Sequence, residues 1–201
     1  MTLNTPDTKS TPDNPLWMLD LIADSSSVVA GLKYQLPEID ALSRKIADQL
    51  LAGNKLLTAG NGGSAAAALH LAEELTGKYN RSDRRALPAI CLAADTTALT
   101  CIANDWDFAS VFSRQVEAYA KPGDVLVVFS SSGNSENLVR ACETMKKYSG
   151  TALALLGRGG GRVQQMADLS LVVNSNRTAP IQEAHEVILH LILEYVERMV
   201  D

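Results

Sequence analysis

Five short apolar runs mark the chain after Gly53: KLLTAG (55–60), PAICLA (88–93), DVLVVFS (124–130), TALALLG (151–157) and DLSLVVN (168–174). Each closes on Gly, Ser, Asn or Ala. Between them, segments 64–77, 107–120, 135–148 and 160–167 space their apolar residues with helical period. Residues 181–200 read as a long amphipathic helix. Continuous apolar strands alternating with helices are the pattern of a parallel sheet covered on both faces. The chain is therefore expected to fold as a three-layer α/β/α sandwich with about five parallel strands. Before Gly53 no strand pattern occurs. Leu16, Leu19, Ile22 and Ala23, then Ile39, Leu42, Ile46, Leu50 and Leu51, follow helical spacing. Pro37 suits an early helical position and Gly53 a stop. The expected organisation is a flexible polar tail over 1–14, an N-terminal helical pair over 15–53 and the main domain over 54–201. The extra apolar helices invite self-assembly.

Composition narrows the function. The chain has 201 residues, with 46% hydrophobic, 20% charged and 5% aromatic residues and a net charge of −5. This excludes a disordered chain. It supplies neither the basic field of a nucleic-acid or anionic-membrane binder nor an aromatic stacking platform. Three cysteines without CxxC spacing, no apolar run long enough to span a bilayer and a polar N-terminus without an apolar signal core lead us to expect a cytoplasmic protein with reduced thiols. An acidic protein still binds small phosphate esters, provided that local donors replace bulk charge.

Such donors gather in two loops that directly follow strands, where parallel sheets bind ligands. GNGGS (60–64) and SSSGNS (130–135) each combine glycine, hydroxyls and a helix start. Unpaired helix-start N–H groups can hold a phosphate without Lys or Arg. Ser64 and Ser135 are equally readable as ordinary N-caps. Neither loop has the Walker or the dinucleotide spacing. GRGGG (157–161) reads as a plain flexible turn.

Proton chemistry has few candidates, because there are three histidines. His70 and Glu74 lie one helical turn apart and share a face, whereas Glu73 points about 100° away. The pair suits two metal ligands, a base with its partner, or an exposed helical ion pair. Gln182, Glu186 and His190 form one stripe on the last helix, and His185 faces elsewhere as a core histidine would. Asp95 ends the second strand, placed either to meet a ligand or to cap a helix before TTALT; residues 104–108 read as a loop and partner-contact element.

Taken together and in this order, GNGGS, HLAEELTGKY, LPAICLAADTTALTCIANDWDF, FSRQVEAYAKPGDVLVVFSSSGNSENL and IQEAHEVILHLI resemble the phosphoheptose isomerases of the sugar-isomerase (SIS) domain family. The resemblance covers about residues 30–200 and implies a flavodoxin-like sheet. It implies an aldose–ketose isomerase that converts sedoheptulose 7-phosphate to D-glycero-D-manno-heptose 7-phosphate through an enediol, for activated heptose in bacterial surface polysaccharide. By the same resemblance Glu74 and His190 are the acid/base pair. His70, Glu74, Gln182 and His190 are ligands of one Zn2+ per subunit. Ser130, Ser132 and Ser135 hold the phosphate, and Asn61, Gly62, Ser64, Asp95 and Gln182 contact the sugar. A homotetramer with active sites at subunit contacts is also implied.

Gln182 and His190 lie about 12 Å apart along an ideal helix, so both reach one metal only if the helix start is unwound near Pro180. Pro180 also stands where the family commonly has Arg before IQE, removing an anion contact. Ala65–Ala68 replace residues that are often polar, either raising helix propensity or altering the sugar accepted. The alternatives are an isomerase of a related sugar phosphate, a non-catalytic protein-binding relative of the initiator-associating type, and a sugar-phosphate-sensing regulator. Retention of both Glu74 and His190 favours the isomerase.

Overall fold

The structure, a computed structural model, describes residues 16–200; the tail expected over 1–14 lies outside the described residues. Its strands are β1 (Leu56–Gly60), β2 (Ala89–Cys91), β3 (Val125–Ser130), β4 (Thr151–Leu156) and β5 (Leu169–Val172). All pair in parallel, in the order β2-β1-β3-β4-β5. The helices are α1 (Trp17–Gly31), α2 (Leu36–Leu51), α3 (Gly63–Thr76), α4 (Thr96–Asp105), α5 (Ser113–Tyr119), α6 (Glu136–Lys147), α7 (Gly161–Met166) and α8 (Thr178–Met199).

Why the strands read as unbroken apolar runs is visible in their side chains. Val125, Val127 and Phe129 point into a core shared with α2, α3 and α8. Their neighbours Leu126 and Val128 point into a second core with α4, α5, α6 and α7. Successive strand side chains face opposite ways, so a sheet covered on both sides needs apolar residues at every position. The three-layer sandwich with five parallel strands is as expected.

Some local expectations differ. The segment after Asp95 is a helix through Asp105 rather than a loop from residue 104, because the Asp95 side chain accepts the Ala98 N–H at 2.9 Å and caps α4. The helix expected over 107–120 is divided into a 3-10 turn, Phe108–Ser110, and the shorter α5. Pro180 does not unwind α8. It lies in the first turn, where helix N–H groups have no intrahelical partner, so its missing donor costs nothing. Helix α1 packs against α8 yet buries no residue fully, leaving Leu16, Trp17, Met18, Leu19, Leu21 and Ile22 exposed.

Two ionic contacts fix the frame. Lys55 pairs with the buried Asp124, tying the entries of β1 and β3. Arg84 pairs with Glu197 of α8 at 3.3 Å and donates to the carbonyls of Glu74, Leu75 and Gly77, satisfying the C-terminal end of α3.

Candidate active site

Sheet order creates the crevice. Strands β1 and β3 are neighbours, but β1 continues into α3 on one face and β3 into α6 on the other. The loops after them diverge, and such a switch point is where open parallel sheets bind ligands. Here those loops are GNGGS and SSSGNS. Two reciprocal amide hydrogen bonds between Asn61 and Asn137, at 3.0 and 2.9 Å, tie the first loop to the first turn of α6, which follows the second.

Between the loops lies a cavity of about 220 Å³ lined by Asn61, Ser64, Phe129, Ser130, Ser131, Ser132, Ser135, Thr178 and Gln182. The Ser130 hydroxyl accepts the Gly133 N–H at 3.0 Å, and Ser132 accepts the Asn134 N–H at 3.3 Å. Ser135 is the N-cap of α6 but makes no side-chain cap bond, so its hydroxyl is not spent on the helix. Ser64, by contrast, is not an N-cap; Gly62 takes that place at φ +55° and Ser64 is buried in the first turn of α3. A second space of about 470 Å³ opens beyond Asn61 and Ser135 toward Phe108 and Asn137.

GRGGG is more than the flexible turn expected. Gly133 is so close to it that an added Cβ would stand 1.9 Å from the Gly160 carbonyl oxygen. The Val163 N–H also donates to the Gly133 carbonyl at 2.8 Å. Its Arg158 donates to Thr178 at 2.6 Å, which brings a guanidinium to the cavity rim. We expect Gly133→Ala to destabilise the fold and raise KM for a sugar phosphate. The positive φ of +64° alone costs about 1–3 kcal/mol. Gly159→Ala is the control, since Gly159 has a similar φ of +77° with nothing within 4 Å. Comparing the two unfolding midpoints isolates the contact.

The proton-transfer candidates gather where α3 faces α8. Glu186 accepts from His70 Nδ1 at 2.9 Å, and His70 Nε2 lies 3.5 Å from Glu74 Oε1. The His70 and His190 rings meet edge to face at 5.2 Å, and Tyr79 stacks on His190 at 5.9 Å. Glu74 Oε2 is buried without a hydrogen-bond partner. Such an atom is costly unless a proton or a cation meets it, so the cluster fits a metal ion. Glu73, expected to point away, joins this cluster through its long side chain: ligand atoms of His70, Glu73 and Glu74 lie within 4.8 Å of one another.

Not every candidate is drawn in. Gln182 touches Gly63, whose added Cβ would lie 2.6 Å from Gln182 Nε2. On the intact α8 it stands two turns from His190, about 12 Å along the axis. Asp95 caps α4 and lines neither cavity. Ala67 and Ala68 are buried in the core, and neither lines these cavities. The sequence reading missed Tyr79, Asn137 and Thr178 at the site, since nothing in their spacing links them to it. It did place Glu186 on the stripe of Gln182 and His190.

His185 faces the sheet, fully buried, with Nε2 3.2 Å from the Leu156 carbonyl and no partner on Nδ1. Burial pushes its pKa down to about 4, opposed by the Leu156 hydrogen bond. The folded protein thus excludes a proton that the unfolded chain binds below about pH 6.5. Stability contributed by the neutral ring is complete above that pH and falls as pH drops toward 4. The loss is on the order of 3 kcal/mol. Urea midpoints measured across this window should fall more steeply in the wild type than in His185→Gln.

The SIS domain family matches residues 22–157. The phosphoheptose isomerase of Citrifermentans bemidjiense is 48% identical over 172 residues, covering 85% of this chain and 89% of that one. Among solved structures, the phosphoheptose isomerase of Neisseria gonorrhoeae superimposes with a TM-score of 0.85 at 36% identity, covering 91% of this chain and 98% of that one. That of Francisella tularensis gives 0.82 at 31%, covering 90% and 98%. The chain belongs to the SIS domain family and, within it, to the phosphoheptose isomerases.

Proposed function

We propose that this protein is an aldose–ketose isomerase converting sedoheptulose 7-phosphate to D-glycero-D-manno-heptose 7-phosphate. The observation that carries this reading is the pairing of a serine-lined cavity at the β1/β3 switch point with Glu74 and His190 on the helices leading from it. The names of the relatives support it.

In this reading the phosphate sits against the hydroxyls of Ser130, Ser132 and Ser135 and the start of α6, with Arg158 at the rim. Asn61, Gly62, Ser64 and Gln182 are the proposed sugar contacts. Glu74 removes a proton from C1 while His190 protonates the C2 carbonyl oxygen, giving the enediol. His190 then takes the proton from the O1 hydroxyl as Glu74 returns one to C2. The C1 aldehyde forms with no net change in protons.

His70, Glu74 and His190 would hold Zn2+, which would polarise the carbonyl as a Lewis acid. We also propose that the exposed apolar face of α1 is covered in a homotetramer, since large exposed apolar patches mark association surfaces.

A coupled assay of the purified protein with sedoheptulose 7-phosphate, with and without chelator, tests the reading. Turnover is expected. No turnover at any enzyme concentration would move the assignment to a protein-binding role, and activity that survives chelation would remove the metal.

A further inference from the structure

We propose that Glu186 is a positioning residue: it fixes the proton of His70 on Nδ1 and so leaves Nε2 as a free acceptor turned toward Glu74. The geometry decides which nitrogen carries the hydrogen. Glu186 Oε2 is 2.9 Å from Nδ1, a normal hydrogen-bond length. A carboxylate oxygen there against an unprotonated nitrogen would be repulsive, so Nδ1 donates. Nε2 is 3.5 Å from Glu74 Oε1, beyond the usual range, and makes no such bond. It faces the region where Glu74 Oε2 is buried and unpartnered. Among the described residues, Glu186 has no ion-pair partner other than His70.

Helix geometry makes the contact durable. Glu186 lies one turn from His190 on the stripe of α8 that meets α3. The same stripe therefore supplies His190 to the site and orients His70 across from it. Neutral imidazole in water prefers the hydrogen on Nε2, so the protein holds His70 in the less favoured form. In that form Nε2 is ready to bind a cation, and carboxylate partners of this kind raise the affinity of a ligating histidine. The metal consequence rests on the reading of His70 as a zinc ligand; the tautomer does not.

Ring 15N–1H spectra of the metal-free full-length protein test this directly. They are recorded at about pH 9, well above the ordinary range of histidine side chains, with the His70 signals assigned by their loss in His70→Gln. The wild type is expected in the Nδ1–H form. Glu186→Gln keeps an acceptor oxygen and should retain it. Glu186→Ala, a helix-favouring change at a partly exposed position, should move the ring toward Nε2–H and weaken zinc binding about 10–100-fold in a competition titration. An unchanged tautomer in Glu186→Ala overturns the proposal, whatever the zinc result. A wild type that binds no zinc overturns only the metal reading, because the tautomer shift is then still observed.

Discussion

Glu74→Gln and His190→Gln should each lower kcat by about 10²–10⁴-fold, the contribution typical of a positioned general acid or base. Both substitutions keep size and hydrogen-bonding capacity. What they remove is the ability to carry a proton to and from carbon or oxygen. Glu74 Oε2 has no partner to lose, and the His190 ring is only partly buried, so unfolding midpoints should remain near the wild type. Steady-state kinetics with sedoheptulose 7-phosphate, alongside a urea titration, separates the two quantities. Near-normal kcat in either variant would sink the assignment of that residue. Zinc binding adds a distinguishing readout, since Glu74 is placed among the metal donors as well. Loss of zinc with retained turnover would divide those two roles.

The second large effect concerns stability. Glu197→Leu should destabilise the fold by about 3–5 kcal/mol, because it leaves a buried charge without its partner. The Arg84 side chain is 1% exposed and that of Glu197 is 7% exposed. Glu197 also accepts the backbone N–H groups of Asn80 and Arg81, at 3.2 to 3.3 Å. Removing the carboxylate therefore strands a guanidinium and two backbone donors together. Glu197→Gln keeps the acceptor oxygen and should cost less. Because Arg84 binds the carbonyl of Glu74 at 2.8 Å, the same clasp holds the end of α3 against α8. A urea titration of the three proteins gives the order expected, wild type above Gln above Leu. Equal stability of Leu and wild type would mean that the clasp contributes nothing.

Particular residues show how much was legible in the chain. The alternation of Val125 to Phe129 between two cores explains why strands could be found from apolar runs alone. The two phosphate-type loops were legible because glycine and serine at a strand-to-helix junction leave a local chemical signature. Asp95 was ambiguous, since an aspartate before a helix suits both a cap and a ligand contact; the Ala98 hydrogen bond gives it the cap. α4 was cut short because Asn104, Asp105 and Trp106 carry no helical pattern, yet the cap and the contact with the following turn sustain it to Asp105. GRGGG looked like a plain turn because its role lies in contact with Gly133, 27 residues earlier at Gly160. Arg158, placed by that turn beside Thr178, tempers the expectation of a phosphate site made without cations.

The sequence by itself determined the alternation of strands and helices, the two loops, and the shared helix faces of His70 with Glu74 and of Gln182, Glu186 and His190. These follow from local periodicity and from the backbone freedom of glycine, which neighbours along the chain express. Tertiary structure alone decided that β1 and β3 lie side by side, that α3 faces α8, and that Gln182 stays with the serine cavity while His190 meets His70. Those are distances between segments far apart in sequence, from the 69 residues between paired Leu56 and Val125 to the 116 between His70 and Glu186. Burial of both sheet faces and the Arg84–Glu197 clasp set them, and no local pattern encodes them.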